Sequence, residues 1–127
     1  MSVKAVICIV MLLNLIGCGA MLNNSINDPN KSEFVKDTVI IINMLKSDFE
    51  KMQSISRKQI NIFDKYSVKY PKEKLEKEQW IKAKTMLTDV YVGMAISQNN
   101  MLMKGEKIKD SVFEYYLEQL KLIEEML

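Results

Sequence analysis

Few residues in this chain could carry out chemistry. It has 127 residues with two cysteines and no histidine. Without histidine there is no Ser-His-Asp or Cys-His catalysis, and the commonest zinc ligand is missing. Glu114 and Glu118 stand four apart on one helical face, and Glu124 and Glu125 follow. Such a carboxylate pair can do acid–base work on a glycan if a concave site gives its members unequal environments. On a plain helix the same residues are solvated charges. Met94, Met101 and Met103 cluster in sequence. Thioethers are soft enough for copper(I). Two of these three lie on an apolar stripe, however, where methionine is a common core filler. The expectation is no metal, no cofactor and no catalytic residue. Tyr115-Tyr116 divides between an off-stripe and an on-stripe position. The remaining reactive group is the thiol of Cys18, and its setting is specific.

Cys18 closes the tetrapeptide Leu15-Ile16-Gly17-Cys18. Before it, residues 5–16 form an apolar run after a short start bearing Lys4. A basic start, an apolar middle and small residues at the exit make a secretory signal. The tetrapeptide resembles the lipobox of bacterial lipoproteins. That resemblance implies cleavage between Gly17 and Cys18, acylation of Cys18 on sulfur (palmitate or a similar chain), and acylation of the new N-terminus. The contrasting reading is an uncleaved transmembrane helix. Residues 5–22 are marginal for that role, because Asn14 and the Gly17-Cys18-Gly19 cluster interrupt a span that needs ~20 mostly apolar residues.

Removing residues 1–17 leaves 110, enough for one small domain. Cys8 leaves with the signal, so a lipidated Cys18 allows no disulfide, and packing alone must hold the domain. Charge is nearly balanced: 18 basic against 16 acidic residues, and a single arginine, Arg57. A nucleic-acid binder carries a basic excess and clustered arginines, so nucleic acid is not expected as a partner.

Residues 18–32 read as a tether, with four asparagines, Asp28 and Pro29. Helix-start chemistry ends it, either Asn30 with Glu33 or the earlier Asp28-Pro29. A first helix is expected over residues 32–66. Its stripe is Val35, Thr38, Ile42, Leu45, Phe49, Met52, Ser56, Gln59, Phe63 and Tyr66 at steps of three and four. Tyr70-Pro71 breaks it, and a second helix is expected from Pro71. Its stripe is Trp80, Ala83, Leu87, Val90, Met94, Ser97 and Met101, with Gly93 inside as a place for close helix contact or a kink. Lys104-Gly105 ends it, and Ser111 with Glu114 suggests a capping box for a third helix. The expected fold is all-α: an antiparallel hairpin of two long helices plus a shorter C-terminal helix, a three-helix bundle over residues 33–127.

By this reading the chain is a non-enzymatic lipoprotein of the bacterial envelope. It is held to a membrane through Cys18 and docks an envelope protein or a second copy of itself. Gly19 after the cysteine resembles outer-membrane sorting, with the domain facing the periplasm. Variants of this role are the outer subunit of a phage lysis spanin, a secretin-escort lipoprotein and an exclusion lipoprotein; the composition is compatible with a phage or mobile element. The alternative is a small cell-wall enzyme or ligand carrier using Glu114 and Glu118. The short third helix should leave an apolar strip uncovered at the far end of the hairpin. Phe63, Tyr66, Leu75 and Trp80 are the expected partner-binding residues there, unless Trp80 packs against Phe63 inside the hairpin.

Overall fold

The computed structural model describes residues 29–127, with side chains from residue 33 onward. Four α-helices follow one another: α1 (Pro29–Glu50), α2 (Arg57–Lys69), α3 (Glu78–Lys104) and α4 (Asp110–Met126). One 3-10 turn, Lys72–Lys74, lies between α2 and α3, and no strand occurs among the described residues. Residues from Asp37 to Leu127 make one compact unit; the first two turns of α1 belong to another. The all-α expectation holds, but the helix count and three boundaries differ.

The expected first helix is two helices. The stripe runs on through residues 51–56, yet the backbone turns there. Met52 takes φ 58°, in the left-handed region. Gln53 N–H bonds back to Asp48 O at 2.9 Å, and Met52 N–H to Phe49 O at 3.0 Å. This pair of bonds is a Schellman ending, normally built on glycine. Ser56 then caps α2, with a capping box closed by Gln59. Ser56 and Gln59, which the periodicity places on a core stripe, are the start signal of a new helix.

Helix α1 begins at Pro29, inside the stretch read as tether, with proline at the first helical position where its missing N–H is harmless. Helix α3 begins at Glu78 rather than at Pro71. Leu75 is the only apolar residue among 72–79, so a helix there would have no face to bury. One 3-10 turn forms instead, and Leu75 is extended at φ −86°, ψ 121°. Helix α4 starts at Asp110 with Lys109 at the cap and no side-chain cap bond, so Ser111 lies inside the helix. Gly105 ends α3 as expected, at φ 67°, its N–H bonded to Met101 O at 2.8 Å.

Helices α1 and α2 are antiparallel. Asp48 pairs with Gln59 near the turn, and Thr38 with Tyr66 and Asp37 with Tyr70 farther along. Helices α2 and α3 are antiparallel as well: Tyr91 bonds to Gln59 at one end and Lys84 to Ser67 at the other. Helices α3 and α4 pack along each other, with the Tyr116 phenol against Gly93. Ile42, Leu45, Phe49, Leu87, Met94, Phe113, Leu120 and Ile123 form the core. Helix α4 extends to the start of α3, where Gln79 Nε2 reaches Met126 O at 3.5 Å. The expectation that the short third helix leaves the far end of the hairpin uncovered is therefore corrected: α3 itself starts at Glu78, and α4 reaches that start.

A Cβ on Gly93 would lie 2.6 Å from Tyr116 Cζ and closer still to its hydroxyl. Gly93→Ala gains ~1 kcal/mol of helix propensity but meets overpacking of ~1–3 kcal/mol. In chemical denaturation Gly93→Ala should destabilise the protein. In a Tyr116→Ala background the same substitution should stabilise it by about 1 kcal/mol. An unchanged sign in the two backgrounds would contradict this packing.

Candidate functional site

The polar chemistry of the described chain gathers at two places along α2. The first is the turn between α1 and α2. Gln59 is 3% exposed and makes four hydrogen bonds. Its N–H donates to Ser56 Oγ at 3.2 Å, and its Oε1 accepts from Ser56 N–H at 2.7 Å. Its Nε2 donates to Asp48 Oδ2. Its carbonyl accepts from the Tyr91 hydroxyl at 3.5 Å. Nearby, Ser54 Oγ donates to Gln98 Oε1 at 3.2 Å, tying the turn to α3. An open groove of 440 Å³ runs past Asn43, Ser47, Asp48 and Lys58. Asp48, the carboxylate facing it, is already bonded to Gln59.

The second place is the C-terminal end of α2. Lys84 on α3 is buried, and its ammonium donates to Ser67 O at 3.0 Å and to Tyr70 O. These are carbonyls at a helix end, without partners in their own helix, so a cation is well placed there. Desolvation by burial lowers the pKa of Lys84; Glu73 opposes this and Lys72 adds to it. Tyr70 donates its hydroxyl to Asp37 Oδ2 at 2.9 Å, and Lys69 reaches the same oxygen at 3.1 Å. Tyr66 and Thr38 share a 2.8 Å hydrogen bond. Burial, then the bond to Asp37, pushes the Tyr70 phenol up to about 12. Burial also raises Tyr66 and Tyr91.

Both clusters close the turn and the helix end. Their buried donors and acceptors are satisfied by one another, as buried polar groups must be. Among the described residues no group of three or more His, Cys, Asp or Glu could hold a metal ion. Met94 is in the core and Met101 half-buried, about 10 Å apart along α3, while Met103 lies on the opposite, exposed side. The three thioethers do not converge. Glu114 and Glu118 are both exposed on α4. Neither lines the grooves at Asp48, at Asp37 or at Lys82.

The expected partner-binding strip is not exposed. Phe63, Tyr66 and Trp80 are buried, together with Ile55 and Ala83, and Leu75 is half-buried. Phe63 stacks on Tyr91 with ring centres 4.0 Å apart and 14° between planes. It also stacks on Tyr66 at 5.9 Å, and Tyr66 meets Tyr70 at 5.3 Å. The reason is the extra turn: α2 folds back, so the face expected at the open end of a long hairpin is packed inside a shorter one. Gly17 and Cys18, the expected cleavage and lipidation residues, lie outside the described residues. No described helix is long and apolar enough to cross a membrane. Periodicity alone hides the Asp48–Gln59 and Lys84 clusters. The stretch Ser56-Arg57-Lys58-Gln59, with Gln59 three after Ser56, carries a readable cap signal, whereas nothing local marks Lys84.

No family model, no curated protein and no solved structure matches this chain.

The raised phenols make stability depend on alkaline pH. Below the ordinary tyrosine value of 10.0 both states hold the proton, and the contribution is fully present. Above it the unfolded phenols ionise first, so stability falls until Tyr70 itself ionises near about 12. Lys84 has the opposite sign: its lowered value opposes folding while charged, and that opposition lifts as pH rises toward 10.5. Tyr66→Phe with Tyr70→Phe should therefore show a shallower loss between pH 10 and 12 than the unsubstituted chain, each relative to its own value at pH 7. Denaturation curves with identical alkaline slopes would contradict the burial of these phenols.

Proposed function

We propose that this chain is a lipid-anchored, non-enzymatic protein of the bacterial envelope, exposed to the periplasm, whose helical domain docks another protein. The observation that carries the reading is Leu15-Ile16-Gly17-Cys18 at the end of the apolar run 5–16. Cleavage before Cys18 removes residues 1–17, and acyl chains on Cys18 hold the remainder to the membrane. Each buried methylene contributes ~0.8 kcal/mol, so a multiply acylated cysteine anchors durably where one chain is marginal. Outer-membrane placement and the roles in lysis, secretion or exclusion belong to this proposal through Gly19 and the small anchored helical domain. The domain's polar chemistry agrees with it. Asp48, Gln59, Lys84, Asp37 and the tyrosines are used in joining helices, and Glu114 and Glu118 are exposed.

Mass spectrometry of the membrane-fraction protein tests the reading. The mature chain should begin at Cys18 and carry acyl mass on it, and Cys18→Ser should retain residues 1–17 without acylation. An unmodified Cys18 in the membrane-bound mature chain would overturn the proposal.

A further inference from the structure

Helix α3 has an unusual outer face. Between Asp89 and Lys104, fourteen consecutive residues, 90–103, carry no charge. Val92, Ile96, Asn99 and Met103 follow at steps of four, three and four. At about 100° per residue they form one row on the side opposite the buried Ala83, Leu87 and Met94. Val92 is 52% exposed, Ile96 56% and Met103 79%. Asn99 is exposed as well. On the same side, Thr85 and Thr88 donate their hydroxyls to Ile81 O at 2.8 Å and Lys84 O at 2.9 Å. Outer helix faces normally carry charge. This one has the spacing of a coiled-coil seam, with one asparagine at a seam position.

The charges at its two ends select what covers it. Asp89 and Lys104 lie on the same flank of the row, about 60° and 120° round from Val92. Both are exposed. A parallel copy, related by an axis along the helices, would put this flank of the two chains on opposite sides of the seam and pair neither Asp89 nor Lys104 across it. An antiparallel copy sets Asp89 of each beside Lys104 of the other, twice by symmetry. The row then meets itself, Val92 opposite Met103 and Ile96 opposite Asn99. We propose that α3 pairs antiparallel with α3 of a second copy of this chain, about a two-fold axis between Ile96 and Asn99. The interface is isologous, so it closes as a dimer rather than a filament. The asparagine fixes register at the centre, where two copies of it flank the axis.

Two measurements on the full chain in mild detergent test the pairing. Light scattering should give a protein mass of two copies. Ile96→Glu should weaken association roughly 100-fold by placing a charge in the seam, with helicity unchanged because Ile96 is exposed in the single chain. In the second, single cysteines are oxidised to disulfides. Ile96→Cys should link to itself, since the two sites are offset by only about 4.5 Å along the axis. Met103→Cys should not link to itself, its two sites being about 16 Å apart, but should link to Val92→Cys on mixing. The unsubstituted chain, oxidised alongside, gives the background from Cys8 and Cys18. A single-copy mass, a dimer unaffected by Ile96→Glu, self-linking of Met103→Cys equal to that of Ile96→Cys, or linkage of Ile96→Cys to a protein of another mass would each overturn it. Neither measurement depends on lipid at Cys18, so pairing and anchoring fail separately.

Discussion

The turn at residues 51–56 determines the rest of this fold. It reverses the chain in the middle of an apolar stripe that would otherwise continue as one helix. The reversal places a non-glycine residue, Met52, in the left-handed region, at a cost of roughly 1–2 kcal/mol. Local bonds and long-range bonds offset that cost together. Asp48 and Phe49 carbonyls are satisfied by Gln53 and Met52, and Gln59 joins Ser56, Asp48 and Tyr91. Through these contacts of its side chain and backbone carbonyl, one buried residue links α1, α2 and α3. Leaving any of its partners buried without a bond would carry a desolvation penalty of ~1–3 kcal/mol. The turn is thus tied to the packing of helices far apart in sequence.

Once the chain reverses, the far end of α2 must also be closed. Its last carbonyls face the interior side of α3, where water has limited access. Lys84 supplies the donors, and its aliphatic stem packs while its ammonium bonds Ser67 O and Tyr70 O. Asp37 and Thr38 on α1 receive Tyr70 and Tyr66. An aromatic column, Tyr70, Tyr66, Phe63 and Tyr91, fills the space between the two polar ends. Such rings supply large buried area with a polar tip for each tyrosine. The fourth helix is added by close approach: Tyr116 occupies the place of a side chain that Gly93 lacks.

Much of this was legible from residue types. The apolar registers of α1 and α3 mark Ile42, Leu45, Leu87 and Met94, all buried. Gly105 announces its own helix end, and of the close contact or kink left open at Gly93 the structure has the close contact, with Tyr116. The extra helix was hidden for two physical reasons. The stripe keeps its three-four spacing across residues 51–56, so periodicity shows no interruption. The Schellman ending uses methionine, so the usual glycine sign is missing. Ser56 with Gln59 three residues later was the available sign, and it reads equally as two polar residues on a stripe. That misreading moved Phe63, Tyr66 and Trp80 from the interior to a docking strip. Lys84 could not be found from sequence, because its partners are carbonyls brought to it only by the fold.

The same reversal shapes how the chain meets other molecules. With Phe63, Tyr66 and Trp80 enclosed, the uncharged row on α3 is an outward apolar face placed away from the core. Whether α1 and α2 fold back is therefore the central structural claim, and one distance tests it. Spin labels at Ile40 and Val68, both exposed, sit 28 positions apart in sequence. Folded back, the helices lie side by side at ~8–10 Å between axes, and the labels should be separated by less than about 25 Å. A continuous helix would hold them about 42 Å apart at ~1.5 Å per residue. A pulsed electron–electron resonance distance in the shorter range is the result this structure requires; a peak near the longer value would contradict it.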